Sequence, residues 1–137
     1  MKGLRDPVVT QGRRHLGQRW RVGARLPAVG TGGRRIGHGL GIVSAATAAL
    51  PPFTAELALE LAPVRVNLIA AGFVDTPLSA ALLGDKLEDR RAELREKLPI
   101  GRVVGPADVA ALAVHLMTNT ALTGATYDID GGQQFVF

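Results

Sequence analysis

The chain has 137 residues, 47% of them hydrophobic, which is enough for one small domain and excludes a chain that is disordered throughout. It contains no cysteine, which excludes disulfides and thiolate metal sites, and its three scattered histidines do not suggest a metal site. There is no run of about 18 apolar residues and no signal-peptide pattern at the start. We therefore expect a cytoplasmic protein without a membrane segment.

The net charge of +4 conceals two unlike parts of the chain. Residues 1–40 carry nine basic side chains against one acidic, whereas residues 41–137 carry seven basic against eleven acidic. The first part is rich in arginine and glycine and has no apolar period of 2 or 3.6, which favours a basic, irregular or disordered arm. A nucleic-acid-binding arm is not expected, because Trp20 is its only aromatic residue for stacking and no recognition helix is visible. A third interpretation also stays open: the first forty residues result from a shifted reading frame in GC-rich DNA.

The glycine-rich stretch VGTGGRRIGHG, residues 29–39, resembles a phosphate-binding turn only superficially. It does not match Gly-x-Gly-x-x-Gly, because Arg35 stands at the third glycine position. A βαβ unit needs about thirty residues, so no helix and second strand fit before residue 52. The sequence therefore predicts a flexible loop here.

Two consecutive prolines precede the first amphipathic segment. A residue before proline is pushed out of the helical region, so neither Leu50 nor Pro51 should be helical. Pro52 suits the first helical position, and the pattern predicts a helix over residues 52–61. Its apolar stripe consists of Phe53, Leu57 and Leu61.

The remaining elements alternate between strand and helix. Residues 64–70 predict an inner strand of a parallel sheet, and residues 78–98 predict one or two charged helices. A further helix starts at Gly105-Pro106, and residues 125–130 predict a second strand that forms a right-handed βαβ unit with the first. The apolar stripe of that helix consists of Val109, Leu112, Ala113, Leu116 and Met117. With only two strands, the outer edge of strand 64–70 would be apolar and unpaired, and the stability marginal.

Several motifs follow one another in residues 48–137: ELAPVRVN, a Gly-x-x-x-Thr loop, Pro-x-Gly-Arg, Pro-x-Asp-Val-Ala and a final Asp-Gly-Gly. In this order and spacing they resemble the C-terminal part of the short-chain dehydrogenase/reductase family. The resemblance implies an α/β fold, the C-terminal portion of a Rossmann-type doubly wound parallel sheet. It also implies NAD or NADP as cofactor, hydride transfer with small alcohol or ketone substrates, and a homo-oligomer formed through the C-terminal helices and last strand.

The catalytic pair of the family has no counterpart here. The family places Tyr-x-x-x-Lys just before the Ala-Ala-Leu at 48–50, and this chain has Val43 and Thr47 at those positions. In an alternative alignment, residues 41–46 correspond to the strand that carries the family's catalytic serine, which would be Ser44. Under either alignment the pair is absent, so we assign no catalytic residue.

The resemblance does assign cofactor contacts in the loop after strand 64–70. The backbone around Gly72 and Val74 would face the nicotinamide amide, and the Thr76 hydroxyl would face the amide or the pyrophosphate. The family's usual proline before the glycine is Ala71 here, and residues 78–98 match its variable substrate lid. An ordinary strand-to-helix turn is the alternative interpretation of the three positions.

The chain therefore divides into an arm, residues 1–47, and a family-like α/β segment, residues 48–137. We expect an NAD(P)-dependent oxidoreductase by resemblance that is truncated and inactive as written. The alternative is a non-catalytic oligomerisation or interaction module with an arginine-rich arm.

Overall fold

The computed structural model describes residues 24–25, 28–30 and 38–137. All strands within these ranges run parallel to their partners. One sheet has the order β2-β4-β5, and a second pairs β1 with β3. The strands are β1 (Ala24–Arg25), β2 (Ala28–Gly30), β3 (Arg65–Val66), β4 (Leu68–Ala71) and β5 (Thr126–Ile129).

Five α-helices and two 3-10 turns surround these strands in the described part of the chain. The helices are α1 (Gly41–Ala48), α2 (Leu50–Glu60), α3 (Pro77–Leu83), α4 (Leu87–Lys97) and α5 (Pro106–Thr118). One 3-10 turn, Gly84–Lys86, joins α3 to α4, and the other, Gln133–Phe135, follows β5. The charged segment predicted as one or two helices is therefore two.

The core lies where β4 meets the helices. Leu68 in β4, Leu94 in α4 and Leu116 in α5 have no exposed surface. The inner parallel strand predicted from residues 64–70 is confirmed, with one interruption at the fully buried Asn67. The Asn67 Nδ2 donates to the Leu122 carbonyl at 3.0 Å, and its Oδ1 accepts from the Ala125 N–H at 3.4 Å. Asn67 thus holds the segment from Leu122 to Ala125, which leads into β5.

The prediction that the outer edge of strand 64–70 is unpaired is wrong. β2 pairs with β4 in register from Ala28 opposite Ile69 to Gly30 opposite Ala71. The loop predicted over residues 29–39 therefore contains the end of a strand, while residues 31–37 lie outside the described residues. A short backbone pairing carries no side-chain period, which explains why the pattern did not indicate it. Most of the arm, including Trp20, also lies outside the described residues.

The predicted start of the second helix is also wrong. Leu50 and Pro51 both belong to α2, and Ala49, itself in the right-handed helical region, is the only residue between α1 and α2. The N–H groups of a first helical turn have no intrahelical acceptor, so prolines there remove no hydrogen bond. The Phe53 N–H donates to the Ala49 carbonyl at 3.2 Å, and the helical path continues through both prolines.

The buried side of α2 differs from the predicted stripe. Phe53 is 56% exposed and Leu61 39% exposed, whereas Thr54 is buried. The helix contacts β3 and β4 on the side that carries Thr54. On α5, Leu116 is buried as predicted, but Met117 is exposed. A pattern of apolar residues indicates a helical face, and the neighbouring backbone decides how that face is rotated.

One helical stretch in the described part, Gly41–Glu60, is long and apolar enough to cross a membrane by length and composition. The stretch is not an uninterrupted apolar run, because Glu56 and Glu60 lie within it, so the sequence did not indicate it. Its second half packs on β3 and β4, as a helix that covers a sheet does.

Arg65 in β3 holds the carboxyl end of α5. Its side chain is buried and its two terminal nitrogens donate to four backbone carbonyls. The acceptors are the carbonyls of Leu116 and Met117 at 2.7 Å, Asn119 at 3.0 Å and Leu122 at 3.2 Å. The last carbonyls of a helix have no intrahelical donor, so this one guanidinium satisfies several of them at once.

We expect Arg65→Met to lower the free energy of unfolding by about 2–4 kcal/mol, because it leaves these carbonyls without a donor. Urea denaturation followed by circular dichroism measures the change. Arg95→Met is the matched control, since the Arg95 side chain is half-exposed and its one partner among the described residues is Glu88. An equal effect of the two substitutions would contradict the assigned role of Arg65.

Candidate functional site

The three candidate cofactor residues lie in the loop 72–76, between β4 and α3. Gly72 begins the loop at the carboxyl end of β4, and its N–H donates to the Ile129 carbonyl at 3.2 Å. A Cβ at this position would lie 2.5 Å from the Gln133 Oε1 and 2.6 Å from the Asp130 Cβ. Only glycine allows the loop to approach the turn after β5 this closely.

The middle of the loop is anchored on both sides of Val74. The Phe73 N–H donates to the Gln133 Oε1 at 2.7 Å, and the Asp75 N–H donates to the Val104 carbonyl at 2.9 Å. Val74 itself forms a parallel bridge with Val104. Its backbone N–H has no acceptor among the described residues, and it is the only N–H of the loop in that position.

Thr76 closes the loop as the N-cap of α3. Its Oγ1 accepts from the Ser79 N–H at 3.1 Å, and its own N–H donates to the Ser79 Oγ at 2.8 Å. This reciprocal pair satisfies two backbone donors at the start of the helix. The Thr76 hydroxyl also donates to the Ser79 Oγ at 3.4 Å. A hydroxyl has one donor and two acceptor sites, so Thr76 keeps one acceptor site for a ligand.

Arg91 in α4 fixes the loop from the other side. Its Nε and Nη2 donate to the two carboxylate oxygens of Asp75, at 2.9 and 2.8 Å. The carboxylate of Asp75, followed by that of Glu88, raises the pKa of Arg91. The sequence predicts charged helices over residues 78–98 but gives no sign of this contact, because 16 positions separate its two partners.

The two positions that the resemblance aligns with the family's Tyr and Lys, Val43 and Thr47, lie one turn apart in α1. The Thr47 Oγ1 donates to the Val43 carbonyl at 2.8 Å, and the Val43 side chain is half-exposed. Neither side chain ionises. Ser44 lies in the same helix, so the alternative alignment, which needs a strand over residues 41–46, is wrong.

A separate open pocket of about 390 Å³ lies between the start of α5 and the end of β5. Ile100, Val104 and Ile129 give it apolar walls, and Arg102 and Asp108 line it with charge. Gly72, Val74 and Thr76 do not line it. Within the part of the chain that the structure describes, no group of three or more His, Cys, Asp or Glu could hold a metal ion.

The Arg102–Asp108 pair at this pocket is bidentate, with N–O distances of 2.7 and 2.8 Å. The Asp108 carboxylate also accepts from the Gly105 N–H at 2.9 Å, which caps α5 at the start predicted from Gly105-Pro106. The Arg102 guanidinium, followed by the Gly105 N–H, lowers the pKa of Asp108 to about 2.

Comparison with known proteins identifies the family. A family model described as Enoyl-(Acyl carrier protein) reductase matches residues 15–134. The chain belongs to the short-chain dehydrogenase/reductase family. The match begins within the stretch that composition separates as an arm, and the division into residues 1–47 and 48–137 stays a prediction.

Two curated relatives illustrate the similarity. The chain is 39% identical over 109 residues to an uncharacterised oxidoreductase of Mycobacterium tuberculosis, covering 77% of this chain and 40% of the relative. It is 36% identical over 118 residues to a 4-formylbenzenesulfonate dehydrogenase of Comamonas testosteroni, covering 81% of this chain and 46% of the relative. The chain thus spans less than half the length of these relatives.

Solved structures share the fold. The chain is similar to the reductase/Diels-Alderase MalC of Malbranchea aurantiaca, with a TM-score of 0.76 and 27% identity over 82% of this chain and 43% of that one. It is also similar to a small-chain dehydrogenase in complex with NADPH, with a TM-score of 0.72 and 30% identity over 84% of this chain and 52% of that one. The predicted fold, the C-terminal portion of a Rossmann-type α/β sheet, is confirmed.

The lowered pKa of Asp108 gives a testable pH dependence. A carboxyl with a lower pKa in the folded state stabilises the fold above its ordinary value of 3.8, and this contribution is lost as the pH falls toward about 2. The stability difference between the protein and its Asp108→Asn variant should therefore shrink through this range. Carboxyl titration by NMR should also show a higher Asp108 midpoint in Arg102→Gln, and an unchanged midpoint would contradict the assigned cause.

Proposed function

We propose that the protein binds NAD or NADP, and that the loop 72–76 contacts the nicotinamide end of the cofactor. The observation that carries this proposal is the Val74 N–H, a backbone donor without an acceptor among the described residues, in an otherwise fully bonded loop. The nicotinamide carboxamide offers a carbonyl oxygen of matching chemistry. The similarity to a small-chain dehydrogenase solved with NADPH supports the same assignment.

The position of the loop fits this ligand. It follows the carboxyl end of β4, and ligands of open parallel α/β sheets bind outside the carboxyl ends of the strands. Gly72 lets the loop lie close against the turn after β5, Val74 offers its N–H, and the Thr76 hydroxyl offers its one remaining acceptor site. When bound, NAD(P) supplies or accepts the hydride, and these three residues hold its nicotinamide end.

We further propose that the established chemistry of the family, oxidation of alcohols or reduction of carbonyls, is impaired in this chain. Val43 and Thr47 stand one turn apart on α1 at the positions that resemble the catalytic Tyr and Lys. Valine cannot transfer a proton and threonine carries no charge. Loss of a general acid/base costs about 10²–10⁴-fold in rate.

Binding at the loop is tested by removing the donor. Val74→Pro deletes the N–H, and Val74→Ala is the control that shortens the side chain but keeps the N–H. Since one hydrogen bond is worth about 0.5–1.5 kcal/mol, we expect Val74→Pro to weaken NADPH binding about 2–10-fold relative to Val74→Ala. Titration followed by NADPH fluorescence measures this, with circular dichroism to confirm folding. Equal affinities of the two variants would contradict the assigned contact.

Impaired catalysis is tested with a panel of aldehydes and ketones and NADPH. We expect no oxidation of NADPH above background by the protein itself. In a background that carries Thr47→Lys, the Val43→Tyr variant should oxidise NADPH about 10²-fold faster than the Val43→Phe variant, because only the tyrosine can transfer a proton. Turnover by the unmodified protein at the rate of the tyrosine variant would contradict the proposal.

A homo-oligomer through α5 and β5 is part of this proposal. In the described sheets β5 pairs on one side only, and Val114 and Met117 are exposed on α5. Light scattering coupled to size exclusion should report a discrete dimer or tetramer. A cytoplasmic location is proposed with it.

A second candidate function, a non-catalytic interaction module, is favoured by the apolar surface of α1 and α2. Ile42 and Leu59 are 88% and 76% exposed, and Phe53 is exposed as well. Such a surface favours association with another chain. A discrete oligomer that binds no NADPH would favour this second function over the first.

A further inference from the structure

We propose that Gln133 is a positioning residue for the cofactor loop: its buried carboxamide holds the Phe73 backbone so that the Val74 N–H points toward the ligand. This inference rests on the proposed function, which assigns the ligand to the loop. Gln133 lies 60 positions from Phe73 and outside the motifs by which the family was recognised.

The contact is short, and its acceptor lies on a buried residue. Gln133 is 2% exposed, and its Oε1 accepts from the N–H of the partly buried Phe73 at 2.7 Å. Removal of this acceptor leaves the Phe73 N–H without its partner in the protein. Loss of the hydrogen bond should therefore loosen the local backbone conformation.

The geometry of the loop transmits this constraint to Val74. The Phe73 N–H is fixed by Gln133 and the Asp75 N–H by the Val104 carbonyl. Because each peptide unit is planar, few soft dihedral angles remain between these two anchors. The two hydrogen bonds, at Phe73 and at Asp75, therefore set the direction of the Val74 N–H. Loss of the bond at Phe73 frees the backbone on the amino-terminal side of Val74.

The turn that carries Gln133 is itself held in place. The Asp130 carboxylate accepts from the N–H groups of Gly132 at 2.8 Å and Gln134 at 3.0 Å, and the Gln133 N–H donates to the Asp130 carbonyl at 3.1 Å. Gly132 has a φ of +86°, and a Cβ there would lie 2.6 Å from the Pro99 Cγ. The Asp-Gly-Gly turn thus presents Gln133 to the loop in one orientation.

Gly72 completes the contact from the side of the loop. Its missing Cβ leaves the space in which the Gln133 Oε1 lies, 2.5 Å from where that Cβ would be. The glycine of the Gly-x-x-x-Thr loop is accordingly required by the approach of Gln133 and Asp130. Gly72→Ala should therefore displace the Gln133 carboxamide and release the Phe73 N–H while residue 133 stays glutamine.

The test uses backbone amide exchange measured by NMR in the whole chain. Gln133→Met keeps the length of the side chain but removes the amide acceptor, and Gln133→Glu keeps an acceptor oxygen. Gln134→Met is the matched control, because the Gln134 side chain bonds to Asp128 instead of the loop. The Ile69 amide in β4 reports global opening in every variant.

We expect Gln133→Met and Gly72→Ala to speed exchange at Phe73 at least about fivefold beyond any change at Ile69. Gln133→Glu should retain most of the protection, and Gln134→Met all of it. A Phe73 rate in Gln133→Met that follows Ile69 would overturn the inference, since a merely structural role predicts that result.

NADPH titration separates this inference from the proposed function. Gln133→Met should weaken NADPH binding several-fold and Gln134→Met should not. If Phe73 is released but the affinity is unchanged, Gln133 does not position the ligand contact and the inference is overturned. If the unmodified protein binds no NADPH, the proposed function fails, and the exchange rates decide whether Gln133 fixes the loop.

Discussion

The contact between Gly72 and the turn after β5 determines where the rest of the candidate site lies. β4 and β5 pair in parallel up to Ala71 and Ile129, so the segments that follow both strands leave the sheet at the same edge. The absence of a Cβ on Gly72 lets these segments touch, and the Gln133 carboxamide bonds them together. A larger residue at Gly72 would separate the loop from the turn.

Further contacts fix the elements around this edge. Arg65 in β3 and Asn67, between β3 and β4, bind backbone carbonyls from the last turn of α5 to Leu122, which precedes β5. Arg91 binds Asp75 from α4, so the loop is held from the helical side as well. The result is a loop whose backbone donors find acceptors among the described residues, except for the one at Val74. The Val74 N–H is the donor that this packing leaves available to the proposed ligand.

The sequence predicted the elements whose signals are local. The start of α5 follows from Gly105-Pro106 and Asp108, and the inner strand follows from its continuous apolar run. It missed what depends on distant residues. β2 is defined by backbone pairing, and α2 includes Leu50 and Pro51 because a first helical turn tolerates prolines.

The candidate site divides in the same way. Gly72, Val74 and Thr76 were assigned through resemblance, and the structure places them together in one loop. Gln133, Asp75 and Arg91 were not assigned, because 16 or 60 positions separate the partners and neither contact leaves a period in the sequence. Val43 and Thr47 were identified through the resemblance alone, and the structure places them one turn apart on α1.

The most direct measurement is an NMR titration of the assigned backbone amides with NADPH. The account predicts that the Val74 amide proton shifts downfield more than those of Phe73 and Asp75, because only Val74 gains an acceptor. Shifts that are absent from the loop, or concentrated at the pocket beside Arg102 and Asp108, would contradict the assignment of the cofactor to residues 72–76.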